Sequence, residues 1–210
     1  MERGGRWLRA QDISKKGSTN VLWISSESAI TGVMKRLLPF LYFLMAMNLF
    51  SFFARAASPE PLALGTPAPQ LTALNQDGKE VIFVDVYSKG ITLVYFYPKA
   101  ETPGCTAEAC SLRDAYAGLQ AKGLQILGVS RDTAAAQKKF QENRNLPFTL
   151  IADTDGKVAE AFHVPLIPVL GMTKRQSFII KEGKLAWSSL SAQTGSAAQE
   201  VQKALDTLQK

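Results

Sequence analysis

An apolar run at residues 91–97, rich in β-branched and aromatic side chains, is followed within a few residues by a helix start. The run predicts a buried strand. Thr102 suits the N-cap of the helix and Pro103 its first position, where a missing N–H costs nothing. Cys105 then occupies the third helical position, among unpaired amides at the positive end of the helix dipole, which favour a thiolate. The sequence therefore predicts an activated cysteine where a strand passes into a helix.

A family resemblance begins at the same residues. Pro98, Thr102 and Cys105 fit the P-x-x-x-T-x-x-C signature of the peroxiredoxins. With its second cysteine, Cys110, in the same helix, the chain resembles the atypical two-cysteine Q type, also called bacterioferritin comigratory protein. The resemblance runs from about residue 62 to the C-terminus, through stretches at 64–71, 128–132, 152–157 and 175–180. It implies a thioredoxin-like fold and a thiol-dependent peroxidase acting on hydrogen peroxide and small organic hydroperoxides.

The resemblance also implies a role for each site residue. Cys105 is the peroxidatic cysteine and Cys110 the resolving cysteine, and the two form a disulfide that a thioredoxin-like protein reduces. A free thiol is only a few per cent ionised near neutral pH, so a permanently charged guanidinium beside it is useful. The resemblance assigns that part to Arg175, the orientation of the peroxide to Thr102, and the screening of the thiolate from water to Pro98.

Other interpretations of these residues remain open at this point. Pro98 could serve only to end the strand, Thr102 also serves as a helix cap, and Lys174 is a competing cation beside Arg175. The stretch at residues 163–171, with two prolines and little polarity, departs from the family pattern, and we expect it to line the pocket or an interface.

The spacing of the cysteines has a mechanical consequence. Residues five apart on an ideal helix are roughly 8 to 9 Å apart between Cα atoms, whereas a disulfide requires about 4.4 to 6.8 Å. We therefore expect the first turns of the helix to unwind between oxidation of Cys105 and formation of its bond to Cys110.

Two other functions compete with the peroxidase. One is a protein thiol–disulfide oxidoreductase, whose usual C-x-x-C motif is missing here. The other is a non-enzymatic exported module with a structural disulfide, although so short a loop restrains an unfolded chain little. His163 is the only histidine, and the sequence contains no G-x-G-x-x-G motif or P-loop. We expect no cofactor and no metal, haem or flavin.

The N-terminal part has the pattern of an export signal. Lys35 and Arg36 precede an apolar run at residues 37–53, and an Ala-Arg-Ala sequence at 54–56 follows it. The predicted organisation is an extension or mis-assigned start at 1–33, a signal peptide or membrane anchor at 34–56, and the peroxiredoxin domain at 57–210. We expect an exported protein, periplasmic or extracytoplasmic, that is anchored if the run is retained. Organelle targeting is less favoured, because transit peptides are usually amphipathic.

The formal net charge of +6 comes mostly from this leader. Eight of the 24 Lys and Arg residues and three of the 18 acidic residues precede residue 57, which leaves sixteen basic and fifteen acidic residues after it. Nearly balanced charge gives no reason to expect nucleic acid as a partner. A membrane is expected only if residues 37–53 are retained, and the domain is expected to be a monomer.

Strand-like and helix-like segments alternate through the rest of the chain. This order predicts an α/β fold with a mixed central sheet flanked by helices. The predicted strands are 81–84, 91–97, 124–129, 148–151, 177–180 and 185–187. The predicted helices are 103 to about 120, 133–143, 157–162 and 196–209.

Overall fold

The computed structural model describes residues 60–210; the predicted leader and N-terminal extension lie outside them. The strands are β1 (Thr72–Leu74), β2 (Glu80–Ile82), β3 (Ile91–Phe96), β4 (Leu124–Ser130), β5 (Thr149–Ala152), β6 (Gln176–Lys181) and β7 (Lys184–Ser189). The helices are α1 (Phe83–Tyr87), α2 (Pro103–Asp114), α3 (Tyr116–Ala121), α4 (Ala134–Arg144), α5 (Lys157–Ala161) and α6 (Ala197–Leu208).

The main sheet has the strand order β5-β4-β3-β6-β7. Strands β3, β4 and β5 are parallel, whereas β6 and β7 run antiparallel to their neighbours. A second, two-stranded sheet joins β1 and β2. The expected α/β fold with a mixed central sheet is therefore confirmed.

Alternating residues of β3 divide the core into two layers. Leu93 and Tyr95 point to one face, where α2, α3, α4 and α6 pack, and Val94 and Phe96 point to the other, where α1 and α5 pack. Helices thus cover both faces, which explains why every residue of β3 after Ile91 is buried.

Two of the predicted elements differ from those in the structure. The strand expected at 81–84 ends at Ile82, because Phe83 and Tyr87 lie four residues apart and both face the core from one turn of α1. The cysteine helix expected to reach about residue 120 ends at Asp114 and a new helix begins at Tyr116. No glycine or proline marks that break in the sequence.

Gly128 in β4 is required by a close approach of neighbouring strands. A Cβ atom there would lie 2.7 Å from the Tyr95 hydroxyl and 2.8 Å from Leu150 Cδ2. Tyr95 is the register partner of Gly128 and is fully buried, so it cannot move aside.

Candidate active site

The topology brings the residues expected at the site to one end of the sheet. Because β3 and β6 are antiparallel, Phe96 at the end of β3 lies opposite Gln176 at the start of β6. The loop that leaves β3 leads into α2 and Cys105, and Arg175 immediately precedes β6. The buried Thr173 hydroxyl donates a 3.0 Å hydrogen bond to the Tyr97 carbonyl and holds the two segments together.

Cys105 lies at the third position of α2 and is 2% exposed. The Nη2 atom of Arg175 donates a hydrogen bond of 3.3 Å to its Sγ atom. The competing cation, Lys174, is exposed instead. A buried thiol in contact with a guanidinium at a helix N-terminus is the setting in which negative charge on sulfur is stabilised.

Glu108 completes this arrangement, and the sequence alone did not identify it. Its side chain is fully buried, and its Oε2 atom accepts a hydrogen bond from Nη1 of Arg175. The Arg175 guanidinium, 16% exposed, therefore bridges Glu108 and Cys105. The other carboxyl oxygen, Oε1, has no hydrogen-bond partner within residues 60–210. The only signal in the sequence is an acidic residue three positions after Cys105, which places both on one helical face.

Burial sets the electrostatics of this pair. Desolvation raises the pKa of Glu108 to about 8, although the charge and hydrogen bond of Arg175 oppose that rise. Desolvation by itself lowers the pKa of Arg175. The contacts of the guanidinium with Glu108 and Cys105 outweigh that effect and raise the pKa above its ordinary value. Arg175 therefore remains charged, while the protonation of Glu108 is sensitive to conditions near neutral pH.

The loop between β3 and α2 is fixed by specific contacts. Asp132 accepts a 2.8 Å hydrogen bond from the Ala100 amide. Glu101 has a left-handed backbone, with a φ of 62°. Its carboxylate accepts hydrogen bonds of 2.7 Å from both Asn143 and Arg144. These contacts from the other side of the loop offset the conformational strain at Glu101.

Thr102 and Pro98 lie in this loop, as the motif requires. Thr102 occupies the N-cap position, but its side chain accepts no cap hydrogen bond; its hydroxyl donates to the Lys99 carbonyl at 2.9 Å. Pro98 is half-buried. The structure thus brings Thr102 and Pro98 to the same loop, and Cys105 and Arg175 into direct contact.

Cys110 has different surroundings from Cys105. It is half-buried and lines a shallow cavity of about 440 Å³ between α2 and α6, together with Ser111 and Ala198. Both cysteines are free thiols, and the helix between them is intact. This arrangement holds the two thiols apart, so forming a bond between them requires a change in α2.

Membrane-spanning helices and metal sites are both absent from the described part of the chain. No helix in residues 60–210 is long and apolar enough to cross a membrane. The same residues contain no group of three or more His, Cys, Asp or Glu side chains positioned to hold a metal ion.

Comparison with known proteins gives the family. Residues 64–188 match the AhpC/TSA family. The chain belongs to that family. A putative peroxiredoxin Bcp of Haemophilus influenzae is 48% identical over 104 residues, which are 50% of this chain and 66% of the relative. The chain spans between about half and two thirds of the length of the curated relatives that it matches first.

Solved structures with the same fold include members of the Q type. The peroxidoxin BcpB of Mycobacterium tuberculosis is 27% identical, with a TM-score of 0.66 over 71% of this chain and 99% of that protein. The bacterioferritin comigratory protein of Xanthomonas campestris is 25% identical, with a TM-score of 0.64 over 71% of this chain and 98% of that protein. The resemblance to Q-type peroxiredoxins and the thioredoxin-like fold are thus confirmed.

Proposed function

We propose that this protein is a thiol-dependent peroxidase that reduces hydrogen peroxide and small organic hydroperoxides. The observation that carries the proposal is the contact of the Arg175 guanidinium with the buried Cys105 thiol at the start of α2. The Xanthomonas campestris relative is described as having alkyl peroxide reduction activity, which supports the same chemistry.

The first step is an attack of the Cys105 thiolate on the terminal oxygen of the peroxide. An S–O bond forms and the O–O bond breaks; the sulfur is oxidised to sulfenic acid, and the leaving oxygen takes a proton to become water or an alcohol. The Arg175 guanidinium is positioned to stabilise negative charge during this exchange. Thr102 orients the peroxide, and Pro98 limits the access of water to the thiolate.

The second step joins Cys110 to the oxidised Cys105. The Cys110 thiolate attacks the sulfenic sulfur, an S–S bond forms, and the S–O bond breaks with release of water. Because α2 holds the thiols apart, its first turns unwind for this step. A thioredoxin-like dithiol then reduces the disulfide by two thiol exchanges.

Stopped-flow oxidation of the reduced 57–210 protein by one equivalent of hydrogen peroxide tests the chemistry. Wild type should react fast and lose about two mass units on disulfide formation. Cys105→Ser should abolish the reaction, whereas Cys110→Ser should react once and retain an oxidised Cys105. Oxidation no faster than that of a free thiol would contradict the peroxidase function and leave the disulfide-exchange or structural alternative.

Hydrogen exchange tests the unwinding separately. The amides of residues 106–110, which α2 protects in the reduced form, should exchange faster in the disulfide form, while those of α4 should not change. Equal protection of residues 106–110 in both forms would contradict it.

We further propose that the protein is exported, as its leader pattern predicts. The intact mass of the natively produced protein provides the test. A chain that starts at Ala57 supports cleavage, whereas retention of residues 37–53 supports an anchor.

A further inference from the structure

A surface hairpin at residues 165–174, called here the apolar hairpin, is a defined part of the fold. The Lys174 amide donates to the Pro165 carbonyl at 2.9 Å, and the Ile167 amide donates to the Met172 carbonyl at 2.7 Å. Arg131 donates a further hydrogen bond of 2.9 Å to the Gly171 carbonyl. The hairpin is thus held by its own backbone and by the rest of the domain.

Its tip exposes apolar side chains on a strained backbone. Val169 is fully exposed, Leu170 is 60% exposed, and Leu166 is also exposed. Val169 has a φ of 69°, in the left-handed region that β-branched residues rarely adopt. Exposed apolar surface and backbone strain are both unfavourable, and no described residue covers the Val169 side chain.

The base of the hairpin lies beside the first residues that the structure describes. His163 Nδ1 lies 2.7 Å from the carbonyl oxygen of Glu60, the first described residue. The apolar run at residues 37–53 ends seven residues before Glu60. Glu60 therefore lies beside the base of the hairpin, and the sequence before it contains an apolar run.

Cations flank the apolar tip. Lys99, Arg131 and Leu170 line one groove of about 490 Å³. Asp132 also lines it, but its carboxylate accepts hydrogen bonds from the Ala100 amide and the Ser130 hydroxyl. At the base, Lys174 is exposed, and neither it nor Lys99 forms a salt bridge with any described residue. Apolar side chains bordered by unpaired lysines are typical of surfaces that bind anionic bilayers.

We propose that the apolar hairpin docks this domain onto a lipid bilayer. Leu166, Val169 and Leu170 enter the boundary between headgroups and acyl chains, and Lys99 and Lys174 face anionic headgroups. A bilayer is favoured over a second protein because unpaired lysines border the apolar tip and the sequence carries another apolar run at residues 37–53. Stable attachment to a membrane takes two such signals. The docking does not depend on the chemistry at Cys105.

Vesicle binding of the 58–210 unit tests the proposal without the upstream segment. These residues form one compact unit, and the Mycobacterium tuberculosis structure is covered to 99% by the corresponding region, so the unit can be studied alone. The wild-type unit should float with vesicles of phosphatidylcholine containing phosphatidylglycerol. When phosphatidylglycerol is omitted, its partition coefficient should fall about fivefold for each lysine that no longer faces an anionic headgroup.

The decisive variant combines Val169→Gly with Leu170→Ser. Its partition coefficient should fall by about 100-fold or more, because two apolar side chains no longer insert into the bilayer. Glycine also relieves the left-handed strain, so thermal stability should not fall, and weaker binding cannot be ascribed to unfolding. The matched control is Leu64→Ser, which removes a leucine 63% exposed next to the contact of Gly65 with β7.

Three results would overturn the proposal. The first is a wild-type unit that does not bind vesicles. The second is equal binding by wild type and the double variant. The third is a concentration-dependent dimer in sedimentation velocity that the double variant abolishes, which would identify a second copy of the chain as the occupant of this surface. Binding that falls in the double variant but not in Leu64→Ser supports it.

Discussion

Replacing Glu108 with glutamine removes a buried carboxyl group and nearly preserves the side chain's size and its hydrogen bond to Arg175. Burial raises the pKa of Glu108 to about 8 in the folded protein. A glutamate in an unfolded chain has a pKa of about 4.3. Between these values the folded protein binds a proton that the unfolded chain does not. The carboxyl's contribution to stability is therefore fully present below about pH 4.3 and is lost as the pH rises through about 8.

The magnitude follows from the two pKa values. A difference of this size corresponds to about 5 kcal/mol of unfolding free energy across the whole window, with a slope of at most about 1.4 kcal/mol per pH unit. Guanidinium unfolding of wild type and Glu108→Gln, both kept reduced, measures the difference at each pH from 5 to about 9. Groups that titrate alike in both proteins cancel. An exposed control, Glu160→Gln, reports the effect of removing a surface carboxyl.

The expected result is a wild-type stability that declines relative to Glu108→Gln as the pH rises. A difference that stays constant would show that Glu108 does not titrate in this window. A difference that grows in favour of wild type with rising pH would show that the ion pair with Arg175 overcomes the cost of desolvation. Either result would refute the reasoning.

Three further substitutions test single contacts. Arg175→Lys keeps the charge but loses the fork that bridges two partners, so stopped-flow oxidation by peroxide should slow by about 100-fold; an unchanged rate would contradict this. Gly128→Ala forces a methyl group against Tyr95 and should destabilise the domain by about 1 to 3 kcal/mol in denaturant unfolding, unless the strands can separate. Tyr97→Phe leaves the buried Gln137 oxygen without its donor and should cost about 1 to 3 kcal/mol by the same assay; wild-type stability would argue against that hydrogen bond.

The strands and helix starts that were predicted correctly depend on the chemistry of a few neighbouring residues. The strand expected at residues 91–97 is β3, and the helix start expected at Pro103 is observed there, because apolar runs and N-terminal prolines act over a few residues. The strands expected at 177–180 and 185–187 are β6 and β7, and the turn between them has positive φ values at Glu182 and Gly183.

Contacts between distant segments account for the features that could not be predicted from the sequence. In the sequence, Glu108 cannot be distinguished from any other polar residue of an amphipathic helix. Its partner Arg175 is 67 residues away in the chain, and the pairing of β3 with β6 brings the two together. The sequence predicts Thr102 at the N-cap, but it does not show that the side chain accepts no cap hydrogen bond, because the fold of the whole loop sets the side-chain orientation. The sequence likewise has no glycine or proline at the break after Asp114. A contact with a distant segment lies there instead, since Arg113 donates a hydrogen bond to the Arg144 carbonyl.

The two halves of α2 are held in different ways, which bears on the proposed cycle. The C-terminal half is tied to the scaffold, since Ser111 Oγ accepts from the Ala198 amide at 3.2 Å and Arg113 donates to the Arg144 carbonyl at 2.8 Å. The N-terminal half is held through the bridge from Cys105 and Glu108 to Arg175. In the proposed reaction, oxidation to sulfenic acid removes the negative charge from the sulfur that faces Arg175. The peroxide step thereby weakens a contact that keeps the first turns of α2 folded, while the tethered second half keeps Cys110 near the site.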